Sequence, residues 1–129
     1  MIEIVIKNFL DSHLSVPSFL EKQGEMPESY VLFEKTGSGE NNQISSSTYA
    51  FQSYAPTLYK AAVLNAELKA VLKELITLDE ISRIKLNSDY NYTDTTTKEY
   101  RYLAVFDITH YYEVIKCQMQ KMYQQLNPR

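Results

Sequence analysis

Leu58, Ala61, Leu64 (with Asn65), Leu68, Val71/Leu72 and Leu75 recur at three- and four-residue steps, with Lys60, Glu67, Lys69, Lys73 and Glu74 between them. That is the pattern of a helix of about five turns with one apolar stripe and a solvated back. Pro56 suits its first turn, where no backbone N–H is needed, and Ala55 is a poor cap. A stripe of this length is stable only when buried, so the rest of the chain must supply a matching apolar surface.

That surface reads as strands. A strand over about 46–54 alternates Thr48, Ala50, Gln52 and Tyr54 with Tyr49, Phe51 and Ser53. After the helix, Ile81, Arg83 and Lys85 alternate with Ser82, Ile84 and Leu86. From Arg101 onward Tyr102, Ala104, Phe106 and Ile108 alternate with Leu103, Val105, Asp107 and Thr109. Period two is the mark of a half-buried strand. Tyr30–Lys35 is almost continuously apolar, which predicts cover on both faces. Val16–Leu20 reads as a short edge strand, because Pro17 cannot donate to a ladder.

Ahead of these, Ile2, Val5, Ile6, Phe9, Leu10 and His13 mark an amphipathic helix over 2–13, and residues 23–28 form a turn. Thr36–Gln43 is polar and holds two of the three glycines, which predicts a long hairpin loop. Residues 87–98 predict a second polar loop. Ile115, Met119, Met122 and Leu126 have helical spacing in the segment 111–126. The order is α-β-β-β-α-β-β plus a terminal helix, with no βαβα alternation. The expected fold class is therefore α+β. It has a mainly antiparallel sheet of about five strands, the long and N-terminal helices on one face, and an extra C-terminal helix.

The chain has 129 residues, which suits one domain with a real core. A single cysteine, Cys117, excludes a disulfide scaffold and a Cys-rich zinc site within one chain. No signal-peptide pattern and no run of about 20 apolar residues is present, so a reducing, cytosol-like compartment and no membrane are expected. The formal charge is −3, which argues against a clustered basic face for nucleic acid.

The aromatic set stands out: 11 Tyr, 5 Phe and no Trp, with tyrosines 90, 92, 100, 102, 111 and 112 in one short stretch. A base-stacking platform needs basic company. Lys85, Lys98 and Arg101 are matched there by Asp89, Asp94 and Glu99, so that reading loses. Cross-strand aromatic pairs flanking a loop and a protein–protein surface remain the two alternatives.

Catalytic chemistry has little to stand on. His13 ends an amphipathic helix and reads as structural. His110 ends the last strand beside Tyr111 and Tyr112 and reads as an edge or interface residue. Cys117 has no histidine near it in sequence and reads as a packing residue. Asp89, Asp94 and Glu99 could hold a divalent metal, but their spacing matches no calcium loop. Gly37-Ser38-Gly39 lacks the lysine and the strand-to-helix context of a phosphate cradle.

A family resemblance rests on ordered blocks. These are Tyr30-Val31-Leu32-Phe33-Glu34-Lys35-Thr36-Gly37-Ser38-Gly39, then Gln52-Ser53-Tyr54-Ala55 running into the helix, then Asn87 to Tyr102, then Phe106-Asp107-Ile108-Thr109-His110-Tyr111. Over about residues 2–112 the chain resembles the small tail terminator (tail completion) proteins of long, non-contractile-tailed phages and prophages of Gram-positive bacteria. Residues 1–112 then form the terminator-like domain and 113–129 a C-terminal extension outside the family pattern.

The resemblance implies a virion structural protein without enzymatic activity. It implies a homo-oligomer, a hexameric ring, that caps the tail tube, stops its polymerisation and joins it to the head. The implied partners are other copies of the chain, the major tail tube protein and a head-completion protein. DNA passes through the ring without specific binding, and no cofactor or metal is needed. The location would be the head-proximal end of the virion tail, with host cytoplasm during assembly. Residues 1–112 carry a net −5, which suits an acidic wall past which DNA slides.

Subunit or tail-tube contacts are expected at Gly37, Asn41, Asn42 and Gln43 in the first loop. In and beside the second they are expected at Asp89, Tyr90, Tyr92, Asp94, Thr95 and Arg101, and in the extension at Met119 and Met122. The alternatives are a head–tail connector or neck protein and, from another class, a small metal-dependent hydrolase using Asp89, Asp94 and Glu99.

Overall fold

The computed structural model describes residues 1–41 and 44–111. Asn42, Gln43, Cys117, Met119, Met122 and the helix expected at the C-terminus lie outside the described residues. The first helix, α1, runs Ile2–His13 and buries Ile2, Ile6 and Leu10. The chain leaves it extended at Leu14 and reaches β1, Ser18–Phe19. The Ser18 N–H and hydroxyl both donate to Asp11 Oδ1, at 2.9 and 2.6 Å, which ties the strand to the end of the helix.

The remaining strands are β2 (Tyr30–Asn41), β3 (Ile44–Ala55), β4 (Ile81–Asn91) and β5 (Tyr100–Tyr111). They form one five-stranded mixed sheet in the order β1-β2-β3-β5-β4. Only the two-residue β1–β2 pairing is parallel; the other three neighbours are antiparallel. The architecture is α+β, and β1 is an edge strand as Pro17 requires.

The long helix, α2, spans Leu58–Lys73 and continues as a 3-10 turn, Glu74–Thr77. Its cap is Thr57, whose Oγ1 accepts from the Lys60 N–H at 3.1 Å. Pro56 therefore precedes the cap instead of opening the helix. Leu64, Leu68, Leu72 and Leu75 join Ile2, Ile6 and Leu10 of α1 over Val31, Phe33, Tyr49, Phe51, Ala104, Phe106 and Ile108 of the sheet. Each fully buried large side chain here contributes roughly 1.5–3 kcal/mol. Both helices pack on this one face; the alternate residues, among them Leu32, Gln52, Leu103 and Val105, point to the other, which carries no helix among the described residues but still buries Tyr30, Tyr54 and Leu103.

Four sequence expectations change. The predicted loop 36–43 is mostly strand: β2 and β3 pair as far as Asn41↔Ile44, with one irregularity between Lys35 and Gly37. Neither Gly37 nor Gly39 has a positive φ, so both sit in extended backbone. Polar composition suggested a loop, but the neighbouring β3–β5 ladder, which runs to Ile44↔Tyr111, supports the ribbon from the other side. The second predicted loop shrinks likewise, because β4 continues to Asn91 and only 92–99 remain outside strands. Finally, a register shift between Ile81 and Arg83 makes Ser82 a bulge. It puts Ile81, Ile84 and Leu86 opposite His110, Ile108 and Phe106 on the core face, where simple alternation would have split them. The near-continuous apolar run at 30–35 is covered on both faces only at its start: Val31 and Phe33 are buried on the helix face, Tyr30 is buried and Leu32 half-buried on the other, and from Glu34 the residues are exposed.

Candidate functional site

The sheet presents two distinct ends. At one lie Tyr30, Ala55, Tyr100 and the segment 92–99; at the other lie Asn41, Ile44 and Tyr111. The 12 residues of β3 separate them, a span of about 37 Å. The expected contact residues divide accordingly. Gly37 and Asn41 belong to the hairpin end, and Tyr90, Tyr92, Asp94, Thr95 and Arg101 to the other.

At the 92–99 end, a row of rings joined by one arginine crosses the sheet. Phe19 on β1 meets Tyr30 on β2 edge-on, with centroids 5.9 Å apart. Tyr30 stacks on Tyr54 of β3 at 4.5 Å and 12°, and Tyr54 is paired in register with Arg101 of β5. The Arg101 guanidinium lies 5.5 Å from the Tyr54 ring and 4.7 Å from the Tyr92 ring. Tyr92 in turn meets Tyr90 of β4 edge-on at 6.0 Å.

Hydrogen bonds hold the arginine between its rings. Its Nη1 donates to Tyr54 Oη and its Nε to the Tyr92 carbonyl, both at 2.8 Å. Tyr54 Oη donates on to Gln52 Oε1 at 3.0 Å. Lys22 Nζ sits 5.0 Å from the Tyr54 ring and pairs with Glu99 Oε2 at 3.2 Å. Planar guanidinium stacking combined with directed N–H donation is a geometry that lysine cannot reproduce.

The turn beyond this ladder is self-contained. A bridge between Asp94 and Glu99 closes it, and Asp94 Oδ1 accepts from the N–H groups of Thr96 (2.9 Å) and Thr97 (3.3 Å). Those two N–H groups hold the Asp94 carboxyl below its ordinary value. Thr95 is exposed in the turn, and Lys98 adopts a φ of 58°, the left-handed region that favours glycine. Beside the turn is a shallow open cleft of about 290 Å³ lined by Met26, Pro27, Tyr30, Tyr54 and Lys98.

Asp89 belongs elsewhere. It faces the helices, where its Oδ2 accepts from Lys69 Nζ at 3.2 Å and its Oδ1 lies 3.5 Å from Asn65 Nδ2. The three carboxylates of the metal alternative thus have separate partners: Asp89 with Lys69, Asp94 with backbone N–H groups, Glu99 with Lys22. Among the described residues no group of three or more His, Cys, Asp or Glu is placed to hold a metal ion.

The hairpin end is polar and open. Glu34 to Glu40 are exposed without a break, and Lys35 Nζ is 3.7 Å from Glu3. At its base, Ser47 Oγ lies 3.1 Å from His110 Nε2. His110 is buried on the core face, not at an edge. A serine–histidine pair suggests nucleophile and base, but Ser47 is 1% and His110 9% exposed. No substrate carbonyl reaches that hydroxyl, so the pair is a buried structural contact. His13 is likewise structural: its ring stacks on Phe9 and its Nδ1 lies 2.8 Å from the Phe9 carbonyl.

Tyr30, Tyr54 and Lys22 were not among the residues expected from sequence. The available signal was the hairpin itself: pairing that runs to Asn41↔Ile44, with one irregularity between Lys35 and Gly37, sets Tyr30 opposite Tyr54. Reading 36–43 as a loop concealed that register. No known protein-family model matches the chain, and no curated protein matches it at a significant level.

Proposed function

We propose that this chain is a phage virion structural protein, a tail terminator whose copies form a hexameric ring on the finished tail tube, block further tube growth and join the tail to the head. The observation that carries the reading is the resemblance of the ordered blocks from Tyr30 to Tyr111. The architecture supports it: a rigid sheet-and-helix body with helices on one face only and contact-competent features at both sheet ends. Such a subunit needs no cofactor. Its partners would be other copies of itself, the major tail tube protein and a head-completion protein. The acidity of residues 1–112 suits a lumen that lets DNA pass without holding it.

Purified protein mixed with isolated tail tubes tests the proposal. A ring-sized species and tubes capped at one end are the expected outcome. Protein that stays monomeric at every concentration and leaves the tubes uncapped would overturn it. Labelled protein located by electron microscopy at the tube's head-proximal end favours termination. Label directly on the portal would make it a head–tail connector. The enzymatic alternative predicts bound divalent metal and a melting temperature that rises with metal, and is sunk by neither being observed.

A further inference from the structure

The sheet has two open edges of opposite character. Among the described residues β4 has no neighbour beyond it, and β1 covers β2 only at Val31 and Leu32. Among the described residues, nothing pairs with the outward backbone donors and acceptors along Phe33–Asn41 and along β4, which can recruit another strand. We infer that the β4 edge of one copy of this chain pairs with the free run of β2 on a second copy, head to tail, so that the sheet continues from subunit to subunit. This deepens the ring reading and rests on it.

Direction, level and charge agree. Successive strands β2, β3, β5 and β4 alternate in direction, so β2 and β4 run opposite ways. A second copy set alongside in the same orientation presents its β2 antiparallel to β4, the more stable ladder. The Ile81 end of β4 is level with the hairpin end of β2, because Ile81 pairs with His110 and Tyr111 with Ile44. The two residues of β1 lie at the far end and do not obstruct this half.

Between the irregularities at Ser82 and Asn87, β4 has one regular run, Arg83–Leu86. It displays Arg83 and Lys85, both exposed, and no acid. The free run of β2 displays Glu34 and Glu40, both exposed, while its one cation, Lys35, is engaged by Glu3. Pairing β4 with β4 would oppose cation to cation, and β2 with β2 acid to acid. With the copies level, Arg83 and Lys85 come opposite Gly39 and Gly37, between Glu40 (opposite Ile81) and Glu34 (opposite Ser88), so the unlike pairing sets the two cations between the two acids and is the attractive one. A contact between two different patches on identical chains propagates in one direction and closes into a ring where the rotation permits.

Two charge-reversed variants test this by sedimentation velocity of the full chain: Arg83→Glu with Lys85→Glu, and Glu34→Lys with Glu40→Lys. All four positions are exposed, and thermal melts confirm folding. Lys85 faces Asp107 across the ladder; if its reversal lowers the melting point, Arg83→Glu alone replaces the pair. The wild type is expected to assemble and each variant alone to be monomeric. An equimolar mixture of the two should assemble again, because acidic β4 edges then meet basic β2 edges. Variants that still assemble alone, or that fail to rescue each other, overturn the edge pairing and leave the ring to another surface. A wild type that is monomeric throughout overturns pairing and ring together.

Discussion

Ser47, Tyr49 and His110 bring polar groups together in a largely apolar core, and for His110 and Tyr49 the cost is measurable. Burial pushes the His110 imidazole below its ordinary value of 6.5; Lys35 and the N-terminal amine add to this and Glu3 opposes it. The folded protein therefore resists a proton that the unfolded chain accepts. Stability is unaffected above the unfolded value and falls as pH drops through it towards the lower folded value. Denaturant melts between about pH 7.5 and 5 should show this loss, and His110→Gln should flatten that part of the curve. The Tyr49 hydroxyl is buried without a hydrogen-bond partner among the described residues, and burial together with the Glu3 charge pushes its phenol up. Tyr49→Phe removes an unsatisfied polar group and is expected to raise stability by roughly 1 kcal/mol in a urea melt. A destabilised variant would show that the hydroxyl is satisfied in solution.

Among the elements, α2 was the most legible and the hairpin the least. The stripe from Ala61 to Leu75 is present as read, because period and burial agree wherever one face meets a flat sheet. The cap was missed: Thr57 sits behind Pro56 and is identified only by its bond to the Lys60 N–H. Thr57→Ala should cost about 1 kcal/mol, read as a lower denaturant midpoint with unchanged slope. The ladder of rings is an element of a different kind, assembled from five strands that are distant in sequence. Arg101 is its joint. Arg101→Lys keeps the charge but loses one of the two directed bonds and the planar stacking. The expected result is amide exchange in 92–99 faster by roughly fivefold, equivalent to about 1 kcal/mol of lost local protection, with the core amides of β3 unchanged.

For the whole molecule, one core joins both helices to four of the strands, so unfolding should be a single cooperative transition. Leu68 is fully buried at the centre of that core. Leu68→Ala should cost roughly 2–5 kcal/mol and lower the melting temperature by on the order of 10 °C. Two separate calorimetric transitions in the wild type would instead mean that the long β2–β3 ribbon melts on its own.

The α+β class, the number of strands and the helices' apolar faces were set by local periodicity, which each segment carries within itself. The extent of the strands was not, because Thr36–Asn41 and Asn87–Asn91 are polar segments whose backbone pairing depends on a partner strand already in place. The phase of β4 depended on two irregularities, at Ser82 and Asn87, which no alternation rule foresees. The site divided in the same way. A tyrosine-rich stretch around 90–102 was visible in the chain, yet Tyr30, Tyr54 and Lys22 joined it only through strand register, and Asp89 left it to pair with Lys69. Side-chain period is a property of neighbours in sequence; which rings and charges meet is decided by long-range pairing, and that exists only in the folded sheet.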